Sequence, residues 1–89
     1  INIHPSLLPK YGGKGMYGKY VHESVFKNKE NKTGISIHIV NDEYDKGKII
    51  FQAETEVDNN DSLETIIEKV HVLEKENYPR VIKEYLSKI

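Results

Sequence analysis

Between Thr33 and Val40 the chain alternates Ile35, Ile37 and Ile39 with Ser36, His38 and Val40. Successive side chains of an extended chain point to opposite faces, so this period of two predicts a strand of about eight residues. Lys48 to Val57 is rich in β-branched residues and predicts a second strand. It returns antiparallel to the first across the acidic turn Asn41–Gly47. Residues 1–4 read as the end of another strand, which Pro5 closes because proline has no N–H to donate to a ladder. Ser6-Leu7-Leu8-Pro9 then makes a turn, and Lys10 to Gly18 is a loop holding four of the six glycines. Tyr17, Tyr20/Val21 and Ser24/Val25 recur at helical spacing and predict a short amphipathic helix over Tyr17–Lys27. Asn28 to Lys32 is a polar connection.

The last third has the strongest period. Leu63, Ile66, Ile67, Val70, Leu73, Asn77/Tyr78, Val81, Ile82, Tyr85 and Leu86 recur every three or four residues and give a helix with one apolar face. Asp61 as N-cap and Glu64 three positions on read as its start. Pro79 falls inside the pattern, where it is expected to kink or interrupt the helix near Asn77. The order strand, helix, strand, strand, helix belongs to the α/β class. Three strands, two of them a hairpin, make half of such a sheet, with an unpaired edge on the first strand.

Composition narrows the class further. With 89 residues the chain is one small domain at most, and chains of this size bury only about 60–65% of their unfolded surface. It has no cysteine, so neither a disulfide nor a thiolate metal site can add stability. No apolar run approaches the roughly 20 residues needed to cross a bilayer. The start has neither the basic nor the apolar part of a secretory signal, so a cytoplasmic location is expected. The net charge is −1, with both signs mixed along the chain. That excludes the basic stripe of a nucleic-acid binder. The chain opens on Ile1 and runs straight into a strand, which we read as a fragment.

Candidate chemistry begins at the first strand. Asn2 and His4, two apart, project from the same face at its end, where open α/β sheets place their sites. An amide N–H beside an imidazolium suits a developing oxyanion. Taken alone, the pair reads more readily as a turn former and a partly buried strand-end histidine. Asp45, ahead of Lys46-Gly47, is by itself an ordinary turn carboxylate. The turn fails the spacing of a calcium loop, and His4, His22, His38 and His71 form no zinc-type pair, so no metal is expected. The loop Tyr11-Gly12-Gly13-Lys14-Gly15 lacks the Lys-Ser/Thr ending of a phosphate-binding loop. His71 and Glu74 lie on or beside the apolar stripe of the last helix. An inward carboxylate requires a partner or a ligand, and sequence geometry alone favours snorkelling at the stripe's edge instead.

Taken together, these segments resemble a known family. Asn2-Ile3-His4-Pro5-Ser6-Leu7-Leu8-Pro9 is similar to the signature of the folate-dependent formyltransferases. The run Lys10 to Gly18 with Val21-His22-Glu23 resembles the branch that acts on glycinamide ribonucleotide. So do Thr33-Gly34-Ile35-Ser36-Ile37-His38, Tyr44-Asp45-Lys46-Gly47, Ile49-Ile50-Phe51-Gln52-Ala53, and Leu73-Glu74 with Tyr78-Pro79. The resemblance implies the C-terminal half of a Rossmann-like formyltransferase fold. Its sheet would be mixed, with a β-hairpin and a long C-terminal helix. Residues 1–89 would form a single segment whose nucleotide-binding N-terminal half is absent. It further implies transfer of a formyl group from 10-formyltetrahydrofolate, as co-substrate, to glycinamide ribonucleotide in purine biosynthesis.

On that resemblance His4 is the proton donor, Asn2 binds the formyl oxygen, and Asp45 keeps His4 protonated and relays the amine proton. Asn2 and the segment Val40, Asn41, Asp42, Glu43, Tyr44 and Asp45 lie against the folate. Pro5, His71 and Glu74 face the ribonucleotide. The partners are the two substrates and the missing N-terminal half, with no nucleic acid and no membrane. Alone, the fragment is expected to be inactive and to self-associate through its open edge.

Other members of the superfamily are the alternatives. A methionyl-tRNA formyltransferase shares the opening motif but is expected to carry an arginine-glycine loop at Gly12-Gly13-Lys14 and a basic tRNA-binding domain. A formyltetrahydrofolate hydrolase is expected to carry a second histidine at Pro5. A sugar-nucleotide formyltransferase fits Lys14-Gly15-Met16-Tyr17-Gly18 less well. A non-catalytic binding fragment is the reading from a different class.

Overall fold

The computed structural model describes residues 1–13, 15–39 and 48–88. The elements are β1 (Asn2–His4), α1 (Lys19–Lys27), β2 (Lys32–His38), β3 (Ile49–Glu56) and α2 (Leu63–Leu86). The strands form one sheet in the order β1-β2-β3, and both pairings are antiparallel. β1 sits at one side of the sheet, paired to β2 alone among the described residues. Asn2 stands opposite His38, Ile3 opposite Ile37 and His4 opposite Ser36. The hairpin register pairs Ile35 with Ala53, Ser36 with Gln52 and Ile37 with Phe51, then slips between Ile37 and His38.

The period-two pattern fixes what each sheet face meets. Ile35 and Ile37 are fully buried, together with Ile66 and Val70 of α2 and Val21 and Val25 of α1. Burying side chains of this size stabilises the fold by about 1.5–3 kcal/mol each. The Arg80 guanidinium lies 5.2 Å from the centre of the Phe51 ring, which places α2 on this face. The other face is polar and is covered by the turn after β1. There the Ser36 hydroxyl donates to the Ser6 carbonyl at 2.7 Å and accepts from the Leu8 N–H at 2.9 Å. Gln52 Nε2 donates to the Leu8 carbonyl at 3.0 Å. Gly34 is buried here, and a Cβ on it would run into the Ala53 carbonyl and the Leu7 side chain.

Three features of the helices differ from the sequence reading. The cap of α2 is Ser62 rather than Asp61. Its Oγ accepts the Thr65 N–H at 3.2 Å, and Thr65 Oγ1 accepts the Ser62 N–H at 2.9 Å. Asp61 is engaged one step earlier. It accepts the Asp58 N–H at 2.8 Å and Lys69 Nζ at 2.6 Å, which braces the turn that leads into the helix. The second difference is that α2 runs unbroken through Pro79. Pro79 and Lys75, whose carbonyl loses its partner, are both exposed. Water can take that hydrogen bond, while Val70 and Val81 anchor the buried face on either side. α1 begins at Lys19 rather than Tyr17, because Gly18 takes a positive φ of 52° at the N-cap.

Candidate functional site

Asn2 and His4 emerge from one face of β1, as the i, i+2 spacing requires, but in different environments. Asn2 is exposed, whereas His4 is 4% exposed. Because facing residues of an antiparallel pair share a face, Ser36 and His38 of β2 join them in one polar row. The His4 ring has a defined partner. Its Nε2 lies 2.7 Å from the Tyr11 carbonyl, and a carbonyl oxygen only accepts, so Nε2 carries a proton.

Tyr11 is itself held from two sides. Its hydroxyl donates to Glu30 Oε2 at 2.8 Å and accepts from Asn28 Nδ2 at 2.9 Å. Lys10 Nζ meets the same Glu30 oxygen at 3.1 Å. The hydrogen bonds from Tyr11 and Lys10 hold the Glu30 carboxyl below the usual carboxylate range. Burial, together with Glu30, raises the Tyr11 hydroxyl, against an opposing hydrogen bond from Asn28.

Ile39 and Lys48, which flank residues 40–47, lie at the Asn2–His38 end of the sheet, where the Ile39 N–H donates to the Lys48 carbonyl at 2.9 Å. Val40, Asn41, Asp42, Glu43, Tyr44 and Asp45 themselves lie outside the described residues. Pro5 follows β1 directly and is half-buried. His71 and Glu74 come from α2, with His71 Nε2 3.9 Å from Glu74 Oε1 and the carboxylate the more sheltered of the two.

His22, on the first turns of α1, is a further member of this region and is also 4% exposed. Burial first, then the charges of nearby His71 and His4, hold its pKa below the ordinary histidine value. Its Nδ1 is shielded and has no partner among the described residues. Burial thus favours the neutral form of the His22 imidazole.

The sequence reading singled out neither Ser36 and His38 as neighbours of Asn2 and His4, nor Tyr11 as the support of His4. The polar half of the Ile35–Ile39 alternation carries the first signal. The second has none, since it is a backbone carbonyl. A cavity of about 470 Å³ lined by Leu7, Tyr11, Val25, Thr33 and Gln52 among others lies beside the hairpin. Asn2, His4, His71 and Glu74 do not line it. Among the described residues no three His, Asp or Glu side chains converge as a metal-ligand set. No described helix is long and apolar enough to cross a membrane.

Comparison with known proteins places these features in context. Residues 1–82 match the formyl transferase family. A phosphoribosylglycinamide formyltransferase of Bacillus subtilis is 43% identical over 87 residues, covering 98% of this chain and 42% of the relative. The chloroplastic phosphoribosylglycinamide formyltransferase of Arabidopsis thaliana is 43% identical over 82 residues, covering 92% of the chain and 28% of the relative. Among solved structures, a phosphoribosylglycinamide formyltransferase of Bacillus halodurans superposes with a TM-score of 0.85 at 36% identity. That superposition covers 98% of this chain and 42% of the other. The chain therefore spans well under half the length of these relatives.

Proposed function

Since this chain belongs to the formyl transferase family, we propose that it is the C-terminal segment of an enzyme that moves a formyl group from 10-formyltetrahydrofolate to the amine of glycinamide ribonucleotide. The observation that carries this reading is the polar row of Asn2 and His4 at the end of β1, beside Ile39 and Lys48, the described residues that flank Asp45 in the sequence. Relatives of the same name match across nearly the whole chain.

In this mechanism the substrate amine attacks the formyl carbon, and negative charge develops on the formyl oxygen. The Asn2 amide and the His4 imidazolium donate to that oxygen, and a single donor of this kind is worth about 3–4 kcal/mol of barrier. The carbon–nitrogen bond to the folate then breaks. The amine proton travels through His4 and Asp45 to the leaving nitrogen. A carboxylate beside an imidazole favours the charged form of the ring, which is the role proposed for Asp45. The folate lies against Asn2 and residues Val40 to Asp45, and the ribonucleotide lies along Pro5, His71 and Glu74. His71 and Glu74 stand together on α2 as that placement requires.

The remaining wall of the site, with the phosphate-binding loop, is supplied by an N-terminal half. The chain alone therefore does not turn over, and its open edge pairs with a second copy. We place the protein in the cytoplasm, although two relatives carry a chloroplast designation. The reading is tested by joining the chain to its N-terminal half and assaying formyl transfer to glycinamide ribonucleotide. Activity should fall at least a hundredfold in both His4→Ala and Asp45→Asn, the range of acid–base assistance being about 10²–10⁴-fold. Hydrolysis of the formyl donor without formylation of the ribonucleotide would overturn the substrate assignment.

A further inference from the structure

We propose that Gln52 is a positioning residue for the transfer, holding the turn over residues 5–8 against the sheet so that His4 and Pro5 keep their places. The inference rests on the reading of His4 and Pro5 as site residues and adds to it a residue from the far strand of the sheet.

Three observations carry it. The first is the register. His4 stands opposite Ser36, and Ser36 stands opposite Gln52. Facing residues of an antiparallel pair share a face, so His4, Ser36 and Gln52 form one row across all three strands. The second is the direction of the hydrogen bonds. Gln52 Nε2 lies 3.0 Å from the Leu8 carbonyl and 2.9 Å from Ser36 Oγ. A carbonyl only accepts, so the amide presents its NH2 end to the turn. Ser36 Oγ also accepts the Leu8 N–H at 2.9 Å. A hydroxyl has two lone pairs and one proton. With both lone pairs taken, the Ser36 proton is left to the Ser6 carbonyl, at 2.7 Å. The third is where the network ends. The Ser6 N–H donates to the His4 carbonyl at 2.9 Å, and Ser6 Oγ donates to the Lys10 carbonyl at 2.7 Å. Ser6 and Ser36 are 1% and 0% exposed, so water does not compete for their bonds.

The chain from His4 to Lys10 is thereby ordered by an amide 48 places beyond His4 (52 minus 4). An acceptor in place of that amide would set oxygen against oxygen at Leu8. It would also draw the Ser36 proton away from the Ser6 carbonyl, and the turn would lose its hold beside His4. Gln52 itself is exposed, so exchanging its side chain leaves no cavity.

The test uses the chain joined to its N-terminal half. Gln52→Glu keeps the shape of the side chain and removes its donors, whereas Gln52→Lys keeps a donor. The glutamate variant should lower kcat by about tenfold, with KM for the formyl donor within about twofold, as misplacement of a catalytic group predicts. The lysine variant should recover most of that loss, although the two melt at similar temperatures. In ¹⁵N-labelled wild type, the Gln52 side-chain amide protons should exchange with water more slowly than those of free glutamine. The Leu8 N–H should exchange faster in the glutamate variant alone. Wild-type Gln52 protons that exchange as fast as those of free glutamine would overturn the proposal even if every variant failed to fold. So would a glutamate variant with wild-type kcat, a loss confined to KM, or equal losses in both variants, which mark a merely structural role. Slow Gln52 exchange in a wild type that transfers no formyl group would overturn the proposed reaction, and the positioning role with it.

Discussion

At the scale of single residues, the site is built from side chains whose surroundings decide what they can do. Asn2 and His4 share a face because strands alternate, yet of the two only His4 is buried, with its Nε2 at 2.7 Å from the Tyr11 carbonyl. The Asn2–His4 spacing was legible in the sequence; the clamp on His4 was not, because a carbonyl has no sequence signature. Gly34 shows the same division. Its place in a strand reads as a weakness, since glycine adds nothing to pack. The structure gives it a purpose, for the turn after β1 and the Ala53 carbonyl leave no room for a Cβ. Gly34→Ala is therefore expected to destabilise the fold toward the upper end of the roughly 1–3 kcal/mol typical of overpacking. Thermal melting against wild type measures it, and an unchanged midpoint would show that the strands can shift apart freely.

At the scale of elements, α2 depends on its start. The reciprocal Ser62–Thr65 box satisfies backbone groups that a helix leaves open. Asp61 ties the preceding turn to Lys69. Hydrogen bonds from Lys69, the Asp58 N–H and Thr65 push the Asp61 carboxyl down to about 2. Its folded pKa lies below the unfolded value of 3.8. Its contribution is thus fully present above pH 3.8 and is lost as the pH falls toward 2. Asp61→Asn should lower the melting temperature at pH 7 and make little difference near pH 2. Ser62→Ala should cost about 1 kcal/mol at either pH. A loss in Asp61→Asn that persists undiminished at pH 2 would show that the carboxylate charge is not what braces the turn. The one-residue error in the predicted cap has the same origin. Both Asp61 and Ser62 are good caps by type, and only the turn from Asp58 decides which one faces the helix.

At the scale of the whole molecule, one layer of helices covers the Ile35–Ile37 face and a loop covers the other, while β1 keeps a free side among the described residues. A strand edge with open N–H and C=O groups seeks a partner. Sedimentation equilibrium of the chain by itself is expected to show concentration-dependent dimers or larger species, and joining the N-terminal half is expected to return it to a discrete state. A strictly monomeric isolated chain would sink this expectation. None of Asn2, His4, His71 and Glu74 lines the hairpin cavity.

The hydrophobic periods determined the element order, the hairpin register face and the long final helix, because burial imposes a period of two or 3.6 on any chain that forms a core. The motif residues placed Asn2 and His4 on one strand end for the same reason. Asp45 was also read from sequence, and it lies outside the described residues. Only the tertiary structure decided that the Tyr11 carbonyl meets His4, that burial lowers the pKa of His22, and that Pro79 is absorbed within α2. Each of these depends on contacts between residues far apart in the chain, or on which side of an element meets water. Local propensity contains neither quantity, and packing supplies both.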